Sequence, residues 1–156
     1  RSVSRGLGDV YKRQDIYHAY EQFLSVKKYF GKTSGNPAFH FIVVYDARST
    51  WGDNYERAES MSRSIASYFS DKYQIVYAIH RKFCSKRYGS CSSVYHAHFV
   101  MNSVSYIDGT MFSGNRSELY AFLDYIKQVT GDKSWVTQYG SEKGKGYQGV
   151  SDAVAM

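Results

Sequence analysis

Apolar residues recur along this chain in two rhythms, and the switches between them outline the fold. From Asp15 to Phe30, Ala19, Phe23, Val26 and Phe30 fall at the spacing of one helix face, and Gly31 stops the run. After the loop KTSGNP, the stretch Ala38–Asp46 is aromatic and β-branched between a proline and a polar turn, which predicts a strand. Helical spacing returns at Ala58, Met61, Ile65 and Tyr68, with Asp53 as the expected N-cap and Glu56 at capping-box distance from it. Tyr73–His80 and Val94–Val104 read as two more strands, separated by a polar loop, RKFCSKRYGSCSS, and the second ends in the Asp-Gly turn of YIDGT. Asn115 is placed to cap a last helix, with Glu118 at the capping-box position, a stripe of Leu119, Phe122, Ile126 and Val129, and Gly131 as its stop. From Asp132 onward the chain is polar and glycine-rich, and no element is assigned there.

The element order is therefore α-β-α-β-β-α, an α+β class. The last two strands follow one another with no helix between them, so they are expected to pair as an antiparallel hairpin. Helices packed on one face of the sheet would leave the other face open for a site. A chain of 156 residues with 43% hydrophobic and 17% aromatic positions is one domain with enough apolar surface to bury a core. No apolar run reaches the roughly 18–20 residues that span a bilayer, and no signal-peptide pattern is present, so a cytoplasmic setting is expected. Two cysteines do not make a disulfide framework; Cys84 and Cys91 match no standard metal spacing and are expected as free thiols, with a loop disulfide, which would need close Cα atoms, as the alternative.

Charge changes the picture at one end only. The net charge is +6, of which +3 comes from residues 1–14, where Arg1, Arg5, Lys12 and Arg13 stand against Asp9. Within that stretch, SRGLGDVYKRQ resembles the translation of a transposase-type sequencing adapter. On that reading residues 1–14 are non-native, the native sequence begins near Asp15 after truncation upstream, residues 15–131 form the core, and 132–156 are a tail or a cut continuation. The remaining surplus of positive charge permits nucleic-acid binding without arguing for it strongly.

The chemistry lies in the histidines. Side chains two apart on a strand share a face, so His96 and His98 project together, and Val100 and Asn102 continue their face. His80 ends the preceding strand, and a hairpin would set it beside them. Three neutral imidazoles on a rigid sheet can hold one divalent cation with coordination positions left open, and such a centre suits phosphoryl transfer. By ligand preference alone, imidazoles also suit zinc or iron. His40, on the face of Ile42 and Val44, either supports this centre from behind or is a structural histidine.

YQIVYAIH followed by YHAHFVMNSVSYIDGTMFSG resembles the core motif of Mob-type relaxases in the HUH endonuclease superfamily, and FGKTSGNPAFHFIVVYDA and the helix after it are similar to that family too. The resemblance implies a mobilisation relaxase of a plasmid or other mobile element. It would nick single-stranded DNA at an origin of transfer through a tyrosine that becomes linked to the 5′ end, sometimes with accessory mobilisation proteins. It implies His80, His96 and His98 as ligands of Mg2+ or Mn2+. Two departures stand out: Arg81 follows His80 where the family often has an acidic residue, and the loop after it is longer and holds Cys84 and Cys91. The family's nucleophile lies upstream of the first helix, in the region read as adapter, so the chain is expected to lack it; Tyr11 belongs to the adapter. Replication initiators of the same superfamily place a tyrosine on a helix after the histidine pair, with lysine three residues later. Tyr125 is the candidate on that pattern, but Lys127 follows it by two.

Arg81, Lys82, Lys86, Arg87 and Tyr88 form a basic, partly aromatic segment suited to phosphates and an unpaired base, or else an ordinary solvated hairpin tip. Asn102 is a candidate DNA contact or a strand hydrogen-bonding residue. The competing functions are a non-catalytic single-stranded-DNA-binding module, a replication-initiator-type protein of the superfamily and, last, a three-histidine zinc hydrolase, which lacks an accompanying glutamate base.

Overall fold

Among the described residues of the computed structural model, four antiparallel strands make a single sheet, in the edge-to-edge order Ile75–Phe83, Ser93–Asn102, Ala38–Tyr45 and Ser134–Tyr139. Along the chain the elements are α1 (Arg13–Tyr29), β1 (Ala38–Tyr45), α2 (Tyr55–Ser70), β2 (Ile75–Phe83), β3 (Ser93–Asn102), α3 (Arg116–Thr130) and β4 (Ser134–Tyr139). The structure describes residues 13–45, 54–83, 93–131 and 134–139. Residues 1–12 with Tyr11, Asp46, Asp53, Cys84, Lys86, Arg87, Tyr88, Cys91 and the chain from 140 onward lie outside the described residues.

Alternation along the strands divides the sheet into two faces. Phe41, Val43 and Tyr45 of β1, Ile75 and Tyr77 of β2, and Ala97, Phe99 and Met101 of β3 are buried on one face, against Ala58, Met61, Ile65, Ala66 and Phe69 of α2 and Phe122 and Ile126 of α3. Phe41 and Phe99 lie parallel at 4.8 Å, and Phe122 closes edge-on against Phe41 at 5.0 Å. Complete burial of a side chain such as Phe99 contributes about 1.5–3 kcal/mol.

The helix boundaries follow local chemistry. Asn115 caps α3, its Oδ1 accepting from the Glu118 N–H at 2.9 Å, and Gly131 ends it in the left-handed conformation at φ 63°. The α2 cap is Asn54 rather than Asp53: its side chain accepts from the Arg57 N–H at 3.1 Å. The buried stripe of α2 also differs, since Tyr68 is exposed and Phe69 takes its place against the sheet.

One strand runs further than its sequence pattern suggests, and another forms where the pattern assigns none. β2 continues through Phe83, so Arg81 and Lys82 are corrected from loop to strand, opposite Tyr95 and Val94. β4, where the sequence pattern assigns no element, pairs along the far edge of β1, with Val43 opposite Val136.

α1 is fastened to the end of β3 by buried polar links. The Asn102 side chain donates to the Phe23 carbonyl, and the Lys27 ammonium donates to Ser103 Oγ at 3.0 Å. Gly109 in the following turn has φ +70°, and a Cβ there would come within 2.5 Å of the Phe30 ring, so the position requires glycine on both counts.

Candidate metal centre

The face of the sheet opposite the α2–α3 core carries four histidines. His80 of β2 and His96 of β3 are directly opposite in the ladder, and His98, two residues along, stands opposite Ala78 on one side and Ile42 on the other. The ring centroids of the trio lie 5.4 Å (His80–His96), 4.9 Å (His80–His98) and 5.1 Å (His96–His98) apart. One ring nitrogen from each comes within 4.8 Å of the others, and no carboxylate or thiolate among the described residues joins this group.

His80 is exposed and the other two are half-buried, so the cluster opens to solvent on the His80 side. Alanine at position 78 keeps bulk away from His98. The donors are all imidazoles, fixed to a rigid ladder and accessible from one side, and this chemistry fits one divalent ion with open positions.

His40 completes the group from β1. Its Nε2 is 3.0 Å from His98 Nδ1. Burial lowers the pKa of His40, and burial together with the neighbouring His80, His96 and His40 lowers that of His98. Both shifts favour neutral imidazole, the form that binds metal.

The other sequence candidates are distributed differently. Tyr125 lies between the helices on the opposite side of the sheet: its hydroxyl donates to the Ser64 carbonyl of α2 at 3.0 Å, and its ring packs on Tyr68 at 4.9 Å. The structure does not bring it to the histidines. Asn102 is corrected from a candidate DNA contact to an interior link. It is fully buried, donates to Gln74 Oε1 at 2.9 Å and accepts from the Val104 N–H at 3.3 Å. Arg81 is exposed, but its guanidinium lies over the Tyr95 ring at 5.7 Å, and Tyr95 in turn meets Tyr55 of α2 edge-on. Alternation from His80 puts it toward the helix-bearing face, away from the trio. Sequence reasoning misses Ala78 and Ile42, which flank His98. Strand alternation back from His80 is enough to find Ala78, whereas Ile42 needs the β1–β3 register.

A sheet with one face closed by helices and the other bearing a histidine trio defines an α+β domain with a candidate metal centre. A family model described as relaxase, MobA/VirD2-like, nuclease domain, matches residues 5–135, and the chain belongs to that family. No curated protein and no solved structure gives a significant match. Among the described residues, no helix is long and apolar enough to cross a membrane.

Proposed function

We propose that this domain is the metal-holding core of a relaxase that nicks one strand of DNA at an origin of transfer, with His80, His96 and His98 as the metal ligands, and that this relaxase serves the mobilisation of a plasmid or other mobile element in the bacterial cytoplasm. The observation that carries this reading is the convergence of three imidazoles on the open sheet face of a chain in the relaxase family.

When bound, Mg2+ or Mn2+ would neutralise charge on a phosphate oxygen during phosphoryl transfer. The chain's own residues hold and orient. The β2–β3 ladder fixes His80 and His96 opposite each other, and the β1–β3 ladder fixes His98 beside Ile42. Lys82, Lys86, Arg87 and Tyr88, in or beside the β2–β3 connection, are assigned to the DNA backbone and an unpaired base. The attacking group in this reading is a tyrosine that becomes joined to the 5′ phosphate. It is none of Tyr45, Tyr73 and Tyr77, which are buried in the α2–α3 core, nor Tyr125, which is bonded to α2.

Calorimetry with Mn2+ tests the centre: one ion per chain is expected, with binding lost in His96→Ala. Unchanged binding in that variant would remove the histidines from the site. Incubating the chain with a single-stranded origin-bearing oligonucleotide and Mn2+ tests the activity: binding without a covalent protein–DNA band is expected of a chain that lacks the family's nucleophile, and a covalent band would point to an internal tyrosine.

A further inference from the structure

We infer that His40 is the positioning residue for His98, an imidazole that holds the ligand ring in its metal-binding tautomer. The inference rests on the metal reading of the trio and adds a fourth histidine with a different task.

The geometry of the pair is specific. The ring planes differ by 13° and the centroids are 5.3 Å apart, while the two facing nitrogens are only 3.0 Å apart. A centroid separation that exceeds the nitrogen–nitrogen distance by about two ring radii puts the rings edge to edge in nearly one plane. The two rings therefore meet through a hydrogen bond along the ring plane and not as a face-to-face stack. Its two ends are His40 Nε2 and His98 Nδ1.

A neutral imidazole donates through one nitrogen and accepts through the other. Two arrangements satisfy this bond. If His40 Nε2–H donates, the neutral His98 ring carries no proton on Nδ1 and must carry one on Nε2, which blocks that atom as a ligand. If His98 Nδ1–H donates, His98 Nε2 keeps its lone pair for a cation and His40 is the acceptor. Ion binding through Nε2 selects the second arrangement.

Metal-bound histidines commonly give their second N–H to a carboxylate or a carbonyl, which fixes both tautomer and ring angle. Here the acceptor facing His98 Nδ1 is another imidazole, supplied by the neighbouring strand. The β1–β3 register makes this possible: His40 is opposite Val100 and Ile42 is opposite His98, so His40 sits one diagonal from the ligand on the same face.

The test is Mn2+ titration of wild type, His40→Phe and His40→Gln, with folding checked by circular dichroism. Phenylalanine keeps a flat ring without an acceptor, and glutamine restores an acceptor oxygen. The expected outcome is a Kd about 10–100-fold weaker in His40→Phe, with most of the affinity recovered in His40→Gln. Binding by His40→Phe as tight as wild type, while His96→Ala loses the ion, would overturn the role of His40 and leave the trio standing. Equal weakening in both His40 variants would also overturn it, because packing would then explain the effect. Absence of Mn2+ binding by the wild type would overturn the trio and this inference together. The wild-type chain gives an independent reading by long-range 1H–15N correlation in the Zn2+-loaded state: His98 protonated on Nδ1 is expected, and His98 protonated on Nε2 would refute the assignment.

Discussion

His80 and His96 face each other directly across the β2–β3 ladder, and the ladder continues for three more pairs, to Phe83 opposite Ser93. The site therefore lies within paired strand and not at the fraying mouth of a loop. Its geometry is set by the ladder, whatever the length or charge of the 84–92 connection.

This separation predicts that ion binding and DNA binding respond to different residues. Lys86→Glu with Arg87→Glu is expected to weaken binding of a single-stranded oligonucleotide and to flatten its dependence on salt, by roughly 0.7 in log–log slope for each phosphate that the variant no longer neutralises. The Kd for Mn2+ should stay unchanged. Fluorescence anisotropy over a salt series, beside calorimetry, measures both. An unaltered salt slope would place the DNA elsewhere on the molecule.

The donor set makes a second prediction. A trio made only of imidazole nitrogens favours borderline ions over hard ones, since Mg2+ prefers oxygen ligands and retained water. The expected order of affinity is Co2+ above Mn2+ above Mg2+. Competition titrations measure it, and Mg2+ binding more tightly than Mn2+ would indicate that carboxylates complete the site.

How much of this is legible in the sequence depends on how local each interaction is. Asn115 and Gly131 bound α3 through hydrogen bonds to residues three or four positions away, and the sequence marks them plainly. At α2, Asp53 and Asn54 are adjacent and chemically similar caps, and composition alone does not choose between them. His96 and His98 follow from strand alternation, and His80 from hairpin adjacency. The bond from His98 to His40 depends on the register of β1 against β3, residues 58 positions apart in sequence, for which no local pattern exists. β4 escapes for the same reason: SWVTQY is rich in strand-forming residues, but it becomes a strand by pairing with β1, and the glycine-rich sequence after it masks the signal.

Asp108 provides a pH-dependent test of the turn after β3. Its carboxylate accepts from the Thr110 N–H at 3.0 Å and lies 3.7 Å from the Lys72 ammonium. The bond to Thr110, then the neighbouring Ser105 and Lys72, hold its pKa below the ordinary 3.8. A carboxyl group whose folded-state pKa is depressed adds stability above its unfolded pKa and loses it as pH falls toward the folded value. Asp108→Asn is therefore expected to be less stable than wild type at pH 7, with the gap closing as pH drops below about 3.8. Urea midpoints at pH 7, 4 and 3 measure it; a gap that persists undiminished at pH 3 would assign the effect to the shape of the turn instead of the charge.

Asn102 separates an architectural role from a DNA-binding one. Its amide is fully buried and joins three parts of the molecule, Gln74 before β2, the Phe23 carbonyl of α1 and the Val104 N–H after β3. Removing it in Asn102→Ala leaves the Gln74 oxygen and the Val104 N–H without these bonds at buried positions, at a cost of about 1–3 kcal/mol for each orphaned group. The melting temperature should fall accordingly. Below the melting transition the folded variant should still bind Mn2+ with wild-type affinity, because His96 and His98 lie earlier on β3, His80 lies on β2, and none of the three takes part in these bonds. The opposite pattern, full stability with impaired oligonucleotide binding, would return Asn102 to the DNA interface. Wild-type affinity in a destabilised variant would instead show that the motif after His98 serves to anchor α1 to the strand that carries the site.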